Sequence, residues 1–350
     1  MFKAELIKAV KGGEPLIQGC DLSNGDYQGA DLGGGIFESV IFTNADLRGA
    51  KLKECKFINC DFTGAKLDGA NLVLANFIGP KGEGISLNSC DMRLANFIDA
   101  AFDYADLSNT NLETTNFVNP KFKGAKFVAA KVYQVSFIKG DFENADFSKA
   151  DIFRVNFLES NVKNIIFEEA KLELAFFREV DFSGYDFTKI NLIKPQFQET
   201  KVVAANFEGM DLSQASFMEA DLSGANFRKV NAKQANFIQA NLSLADFSGA
   251  QMEQALLQEA NLAQANFTGV KAIQALMVKT VCTKTNFSGA DLTYADFSHA
   301  DLTEANFSNT ALFRANLHEV VEHNTVWKGA NKSVSLGTDP KKQKAEQWKA

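Results

Sequence analysis

The chain has 350 residues, 32 of them Phe, and a formal net charge of -7 from 36 basic and 43 acidic residues. That mild balance speaks to solubility and gives no drive toward nucleic acid or an anionic membrane surface. No stretch of 18 apolar residues occurs, so no membrane span is expected. Met1 to Val10, which carries Lys3, Glu5 and Lys8, lacks the apolar core and small-residue cleavage site of a secretory signal.

In chain order, residues 1–19 read as an N-terminal cap. Residues 2–10 predict one short amphipathic helix that offers Phe2, Leu6, Ile7 and Val10 to whatever follows, with Gly12, Gly13 and Pro15 leading out of it. From Cys20 to about Glu319 run sixty five-residue blocks without an insertion or deletion. The third residue of each block falls on a number ending in 2 or 7, and of these sixty only Gly82 is not apolar. Two places earlier stands Ala in 32 blocks, and otherwise mostly Val, Thr, Cys, Ser or Gly. A period of five is neither the 2.0 of a strand nor the 3.6 of a helix. One small and one large residue per block point inward, and the polar remainder must turn the chain.

Phe sets the number of blocks per turn. Every fourth large position from Phe37 to Phe237 is Phe, eleven in succession, and so is every fourth from Phe127 to Phe307, ten more. The column from Leu32 to Leu312 holds none, and the fourth is mixed, with Phe42, Phe62, Phe102, Phe122, Phe142 and Phe182. Segregation at a spacing of 20 means four blocks per coil and four walls, with the two Phe columns on opposite walls. Adjacent coils then pair as parallel strands about 4.8 Å apart, and fifteen coils make a rod of roughly 70 Å. One coil alone cannot offset its own ordering cost, so the stack must be cooperative.

Two irregularities keep the count. Gly82, within Gly79-Pro80-Lys81-Gly82-Glu83-Gly84, removes a core side chain and predicts a local bulge or loosened coil; Pro120 and Pro195 take small inward positions and are expected to perturb a bridge. Residues 320–350 read as a C-terminal cap and basic tail. Trp327 returns to the register as a candidate lid. Asp339-Pro340 starts a helix as N-cap and first position, bearing Lys341, Lys342, Lys344 and Lys349, with Trp348 either pinning the helix to the coils or presenting it to a partner.

Blocks such as Ala30-Asp31-Leu32, Ala70-Asn71-Leu72, Ala220-Asp221-Leu222-Ser223-Gly224 and Ala290-Asp291-Leu292-Thr293 resemble the A(D/N)LXX signature of the pentapeptide-repeat family. The resemblance implies an all-β chain wound as a right-handed parallel quadrilateral β-helix with short helical caps. It does not imply a single function.

Surface residues also fall into columns at a spacing of 20. Ile58, Ile78, Ile98, Val118, Ile138 and Leu158 make an apolar ridge outside an all-Phe wall, with Val73, Leu74, Leu94 and Phe153 on the neighbouring wall. The column reads either as an interface or as β-branched residues suited to a strand ladder. Glu159, Glu179, Glu199 and Glu219, followed by Gln239 and Glu259, form an acidic stripe that is either a solvated flank or a recognition surface for a basic partner. The Gln214–Gln274 column and the Asn206–Asn306 column, interrupted by Asp246, predict structural amide ladders.

Catalytic chemistry finds no motif. The three histidines, His299, His318 and His323, lie near the C-terminus; His299 and His318 are expected to stand one coil apart as exposed imidazoles. Cys20, Cys55, Cys60, Cys90 and Cys282 sit at inward positions without metal-ligand spacing. Buried reduced thiols fit a cytoplasmic protein, and secretion by a route without a signal peptide is compatible with the same sequence. No cofactor and no metal is expected.

The leading expectation is a non-enzymatic scaffold that binds a protein partner, a second copy of itself included, without contacting nucleic acid directly. The resemblance implies two alternatives: a DNA mimic that occupies a type II topoisomerase, and an accessory or effector of a bacterial secretion system. Against the mimic stand the chain's mixed charge, its basic tail and the run Lys121, Lys123, Lys126 and Lys131.

Overall fold

The computed structural model describes residues 1–12 and 16–348; Gly13, Pro15 and Lys349 lie outside them. Two compact units are present. The first comprises Met1–Val180 and Lys189–Asn191, the second Asp181–Thr188 and Leu192–Ala350.

Both units show how the five-residue block works. The Asp or Asn of a block accepts a backbone N–H two residues on, as Asp21 does from Ser23 at 2.9 Å and Asp221 from Ser223 at 3.2 Å. This side-chain turn starts the bend. The bend closes where the small residue's N–H reaches back three residues, as Ala30 does to the Tyr27 carbonyl at 3.0 Å. Before that closing residue the backbone enters the left-handed region, where Gly and Asn fit best, as at Gly29 (φ 60°) and Asn24 (φ 55°). Between bends, each segment pairs in parallel with residues 20 later in sequence, on four ladders per turn, for example Asp21↔Ile41, Asp26↔Asp46, Asp31↔Lys51 and Phe37↔Phe57. The chain is therefore a parallel β-solenoid.

In the first unit, helix α1 (Lys3–Lys11) covers the start of the coils. Leu6 and Val10 are buried, Ile7 is half-buried, and Lys11 pairs with Asp31 at 2.9 Å. The expectation that Phe2 also lies on the coil fails: it is the helix N-cap and 81% exposed. One wall is built of three-residue parallel strands stacked nine deep, from Leu16–Gln18 to Phe176–Arg178, in unbroken 20-residue register. Regular strands therefore stack less deep than the fifteen coils expected. Elsewhere the register is kept mostly by single bridges, because a bend in every block leaves room for one paired residue.

The core is the two Phe columns. Phe137 and Phe157 stack with ring centroids 5.0 Å apart, and Phe127 and Phe147 at 4.3 Å. Across the core Phe137 meets Phe147 edge-on at 6.3 Å and 80°, so the columns face each other as expected.

Neither irregularity loosens the coil. The Gly82 N–H bonds the Ala101 carbonyl at 2.9 Å and Lys81 bridges Ala101. A Cβ on Gly82 would stand 2.7 Å from the Phe102 ring, so that ring fills the space the glycine leaves. At Pro120 the ladder continues: its carbonyl accepts from Asp141 at 2.8 Å, and the Pro195 carbonyl accepts from Ser216 at 3.0 Å. Pro80, Pro120 and Pro195 each close the bend after a three-residue strand. Among the described residues, Val40, Cys60 and Ala100 in the same place donate no backbone turn bond, so proline forfeits nothing there.

The second unit repeats the scheme with single bridges over nearly its whole length. Phe207 and Phe227 stack at 4.9 Å, and Phe217 meets Phe227 edge-on at 5.7 Å. Trp327 stacks on Phe307 at 4.5 Å, which extends that column. Helix α2 (Pro340–Glu346) begins at the Asp339 cap, whose carboxylate accepts from the Lys341 and Lys342 N–H groups.

Candidate interaction surface

The ridge forms as a strict ladder. Ile58, Ile78, Ile98, Val118, Ile138 and Leu158 are each the third residue of a strand on the nine-strand wall, and each pairs with the next. The second strand residue, Phe, points into the core, so the third points outward by strand alternation. All six are half-buried, because each covers part of its neighbour. Beside them Asn116 donates to Asn96 at 2.8 Å and Asn96 to Asn76 at 3.3 Å, an amide rail along one edge. Glu38 stands one step before Ile58 and Arg178 one step after Leu158.

The more exposed apolar groups lie at a bend. Leu74 is 44% exposed and Leu94 51%, and both hold left-handed backbone, φ 61° and 60°. Branched-chain bulk is disfavoured in that conformation. With Val73, Arg93, Glu113 and Thr114, Leu94 lines a shallow depression. Its charges are satisfied within the wall: Arg93 pairs with Asp91 at 2.7 Å and Lys131 with Glu113 at 3.1 Å. The Arg93 guanidinium beside Asp91 holds that carboxyl below the usual carboxylate range. Phe153 is half-buried against Tyr133, ring centroids 5.9 Å apart, with the Arg154 guanidinium 5.1 Å from its ring.

The acidic stripe is partly neutralised. In the first unit Glu159 lies 3.5 Å from Lys139 and Glu179 3.6 Å from Arg178. Glu199 and Glu219 belong to the second unit, where Gln239 donates to Glu259 at 2.9 Å. The amide ladders stand as expected: Gln214, Gln234, Gln254 and Gln274 link at 3.2, 2.9 and 3.0 Å, and Asn226 donates to Asn206 at 2.9 Å.

The histidine pair departs from expectation. His299 and His318 are neighbours, ring centroids 5.4 Å apart, but His318 is only 2% exposed. A third group from α2 joins them: the Glu346 carboxylate lies 3.1 Å from His318 Nε2 and 3.4 Å from His299 Nε2. Two imidazoles and a carboxylate are a metal-ligand set by type, so the tautomer decides. His318 Nδ1 accepts the Asp339 backbone N–H at 3.0 Å. A neutral ring then carries its proton on Nε2 and donates it to Glu346, whereas ligation through Nε2 needs the proton on Nδ1. The cluster is thus a latch for α2, reinforced by the Gln343–Glu319 hydrogen bond. The bond from His318 is also the main reason the Glu346 carboxyl is held below its ordinary range. No sequence signal marks Glu346, which lies 28 residues beyond His318 and outside the repeat. Trp348 takes no part: it is 81% exposed, so it does not pin the helix.

Four thiols are buried, and Cys20 is half-buried. Burial pushes Cys55, Cys90 and Cys282 up to about 12 and Cys60 to about 11. Among the described residues no helix is long and apolar enough to cross a membrane.

The family model described as Pentapeptide repeats matches eight copies between residues 17 and 318, and that of the Pentapeptide repeat region matches residues 130–207. No curated protein matches the chain. Among solved structures, the pentapeptide repeat protein Rfr23 from the cyanobacterium Cyanothece 51142 is 26% identical, over 28% of this chain and 67% of that one, with a TM-score of 0.27. Trypsin-treated QnrB1, a plasmid-mediated fluoroquinolone resistance protein, is 18% identical over 66% of this chain and 91% of that one, with a TM-score of 0.28. HetL, involved in heterocyst differentiation regulation in the cyanobacterium Nostoc sp. strain PCC 7120, is 21% identical over 87% and 96%, with a TM-score of 0.16. The repeat matched along most of the chain is the same block that its backbone winds four to a turn, and the protein belongs to the pentapeptide-repeat family.

Proposed function

We propose that this protein is a non-enzymatic scaffold that binds another protein through the nine-strand wall of its first unit. The observation that supports the reading is the ladder itself: six aliphatic side chains in consecutive strands, with no charge among them, bounded by Glu38 and Arg178. The stacked Phe rings beneath supply the core, so core burial does not account for an aliphatic ladder outside it. An apolar strip with a polar rim is the usual anatomy of a docking surface. Glu159 and Glu179 form its rim, and their pairing with Lys139 and Arg178 favours a solvated flank over a separate recognition stripe.

Affinity capture from the native host with the full chain tests this. Ile98→Lys combined with Ile138→Lys places two charges on the strip and leaves the Phe column untouched. The double variant is expected to lose the partner that the unaltered protein retains. Retention of the same partner at the same yield contradicts the reading.

A further inference from the structure

The wall is self-complementary in one orientation only, and we propose that its partner is a second copy of this chain, packed antiparallel across a two-fold axis. The inference rests on the reading of this wall as a docking surface, and it names the occupant.

Register selects the pairing. Turn a second copy about a two-fold axis that lies in the interface, runs along the strands and passes midway between Ile98 and Val118. Ile98 of each copy then faces Val118 of the other, Ile78 faces Ile138, and Ile58 faces Leu158. The next step brings Glu38 opposite Arg178, which keeps its own contact with Glu179, and this attractive pair forms twice by symmetry. Residues beside the strip follow the same rule. Two strand positions before Glu38 and Arg178 stand Ile36 and Phe176, both half-buried, which come to face each other. On the bend beyond the strip Lys139 meets Gly79, and Glu159 meets Asn59. No like-charged pair arises on the three columns in the first unit.

The alternatives fail on the same residues. Parallel copies about an axis along the coils set Glu38 against Glu38 and Arg178 against Arg178. A slip of one coil in the antiparallel pair sets an aliphatic residue against Glu38 or against Arg178. Charge at the two ends therefore selects both orientation and register, as terminal charges do in other paired elements.

The surface also predicts the strength. Nine strands at about 4.8 Å and three residues at about 3.3 Å give a wall of roughly 400 Å² per copy. That is about half of what each partner contributes to a standard stable interface. The pairing is therefore expected to be weak and concentration-dependent, at the low end of specific interfaces.

Sedimentation velocity of the full chain over a concentration series tests the proposal, with circular dichroism to show that each variant is folded. The unaltered protein is expected to pass from monomer to dimer as concentration rises. Glu38→Arg alone and Arg178→Glu alone each set like charges together at both ends, and each should weaken association by roughly ten-fold. Mixing the two single variants restores opposite charges at both ends of a heterodimer, so the mixture should associate as the unaltered protein does. A dimer indifferent to the charge variants overturns the antiparallel register. A monomer at every concentration up to roughly 1 mM overturns self-pairing altogether. In that case the Ile98→Lys, Ile138→Lys capture still reports whether the wall docks a different protein, so the two readings fail separately.

Discussion

The two units have cores of the same kind and differ in what they wear outside them. In each, facing Phe columns stack along the coil and meet edge-on across it, with Phe137, Phe147 and Phe157 in the first and Phe207, Phe217 and Phe227 in the second. Outside, the first unit carries the aliphatic ladder from Ile58 to Leu158, while the second carries hydrogen-bonded amides from Gln214 to Gln274. An amide column satisfies its own polar groups along the coil and asks for nothing further. An aliphatic column gains more by being covered. Inward residues set the winding, and under the proposed function the outward columns set recognition.

The caps show the same division. Helix α1 docks through buried Leu6 and Val10. Helix α2 has no buried residue and is held by Glu346 on the histidines and Gln343 on Glu319. The first cap is held by apolar burial and the second by polar contacts.

The largest expected effect tests the shared core. Phe157→Ala removes one ring from an unbroken stack and should cost about 3–5 kcal/mol. A melting temperature within a degree of the unaltered protein would contradict the stacking. A smaller effect probes the break in the mixed column. Gly82→Ala pushes a methyl group against the Phe102 ring and should cost roughly 1–3 kcal/mol by overpacking. A neutral or stabilising result would mean that the ring does not occupy that space. The smallest separates the two caps. The Glu346 carboxyl is held low, so its contribution is present above the ordinary carboxylate range and is lost as pH falls through its lowered value. Below about pH 4 the α2 amides should exchange faster while α1 keeps its protection. Equal behaviour of both helices across that range would erase the distinction.

Most of the winding was legible in the residues, because a five-residue period and a 20-residue spacing of Phe leave one way to stack. The alternation of small and large positions placed nearly every buried side chain. Most departures are places where a contact comes from outside the repeat or from the neighbouring coil of the same column. Gly82 reads as a defect until the Phe102 ring is seen in its space. Phe2 reads as a pin, and Trp348 as either a pin or a partner contact, by hydrophobicity alone; both are 81% exposed, and Leu6 with Val10 and Glu346 with Gln343 hold their helices instead. The latch was illegible because it joins a repeat residue to a tail residue across an unpatterned connection. The ridge was found as a column, but its half-burial and the greater exposure of Leu74 and Leu94 depend on how the bend splays side chains.

The claim that outward columns decide recognition is tested most directly by changing both ladders in parallel. Ile98→Lys with Ile138→Lys alters the first unit's strip, and Gln234→Lys with Gln254→Lys places the same charge on the second unit's amides. With capture yield from the native host measured side by side, the account predicts loss of the partner for the first pair and retention for the second. Retention in the first with loss in the second would contradict it.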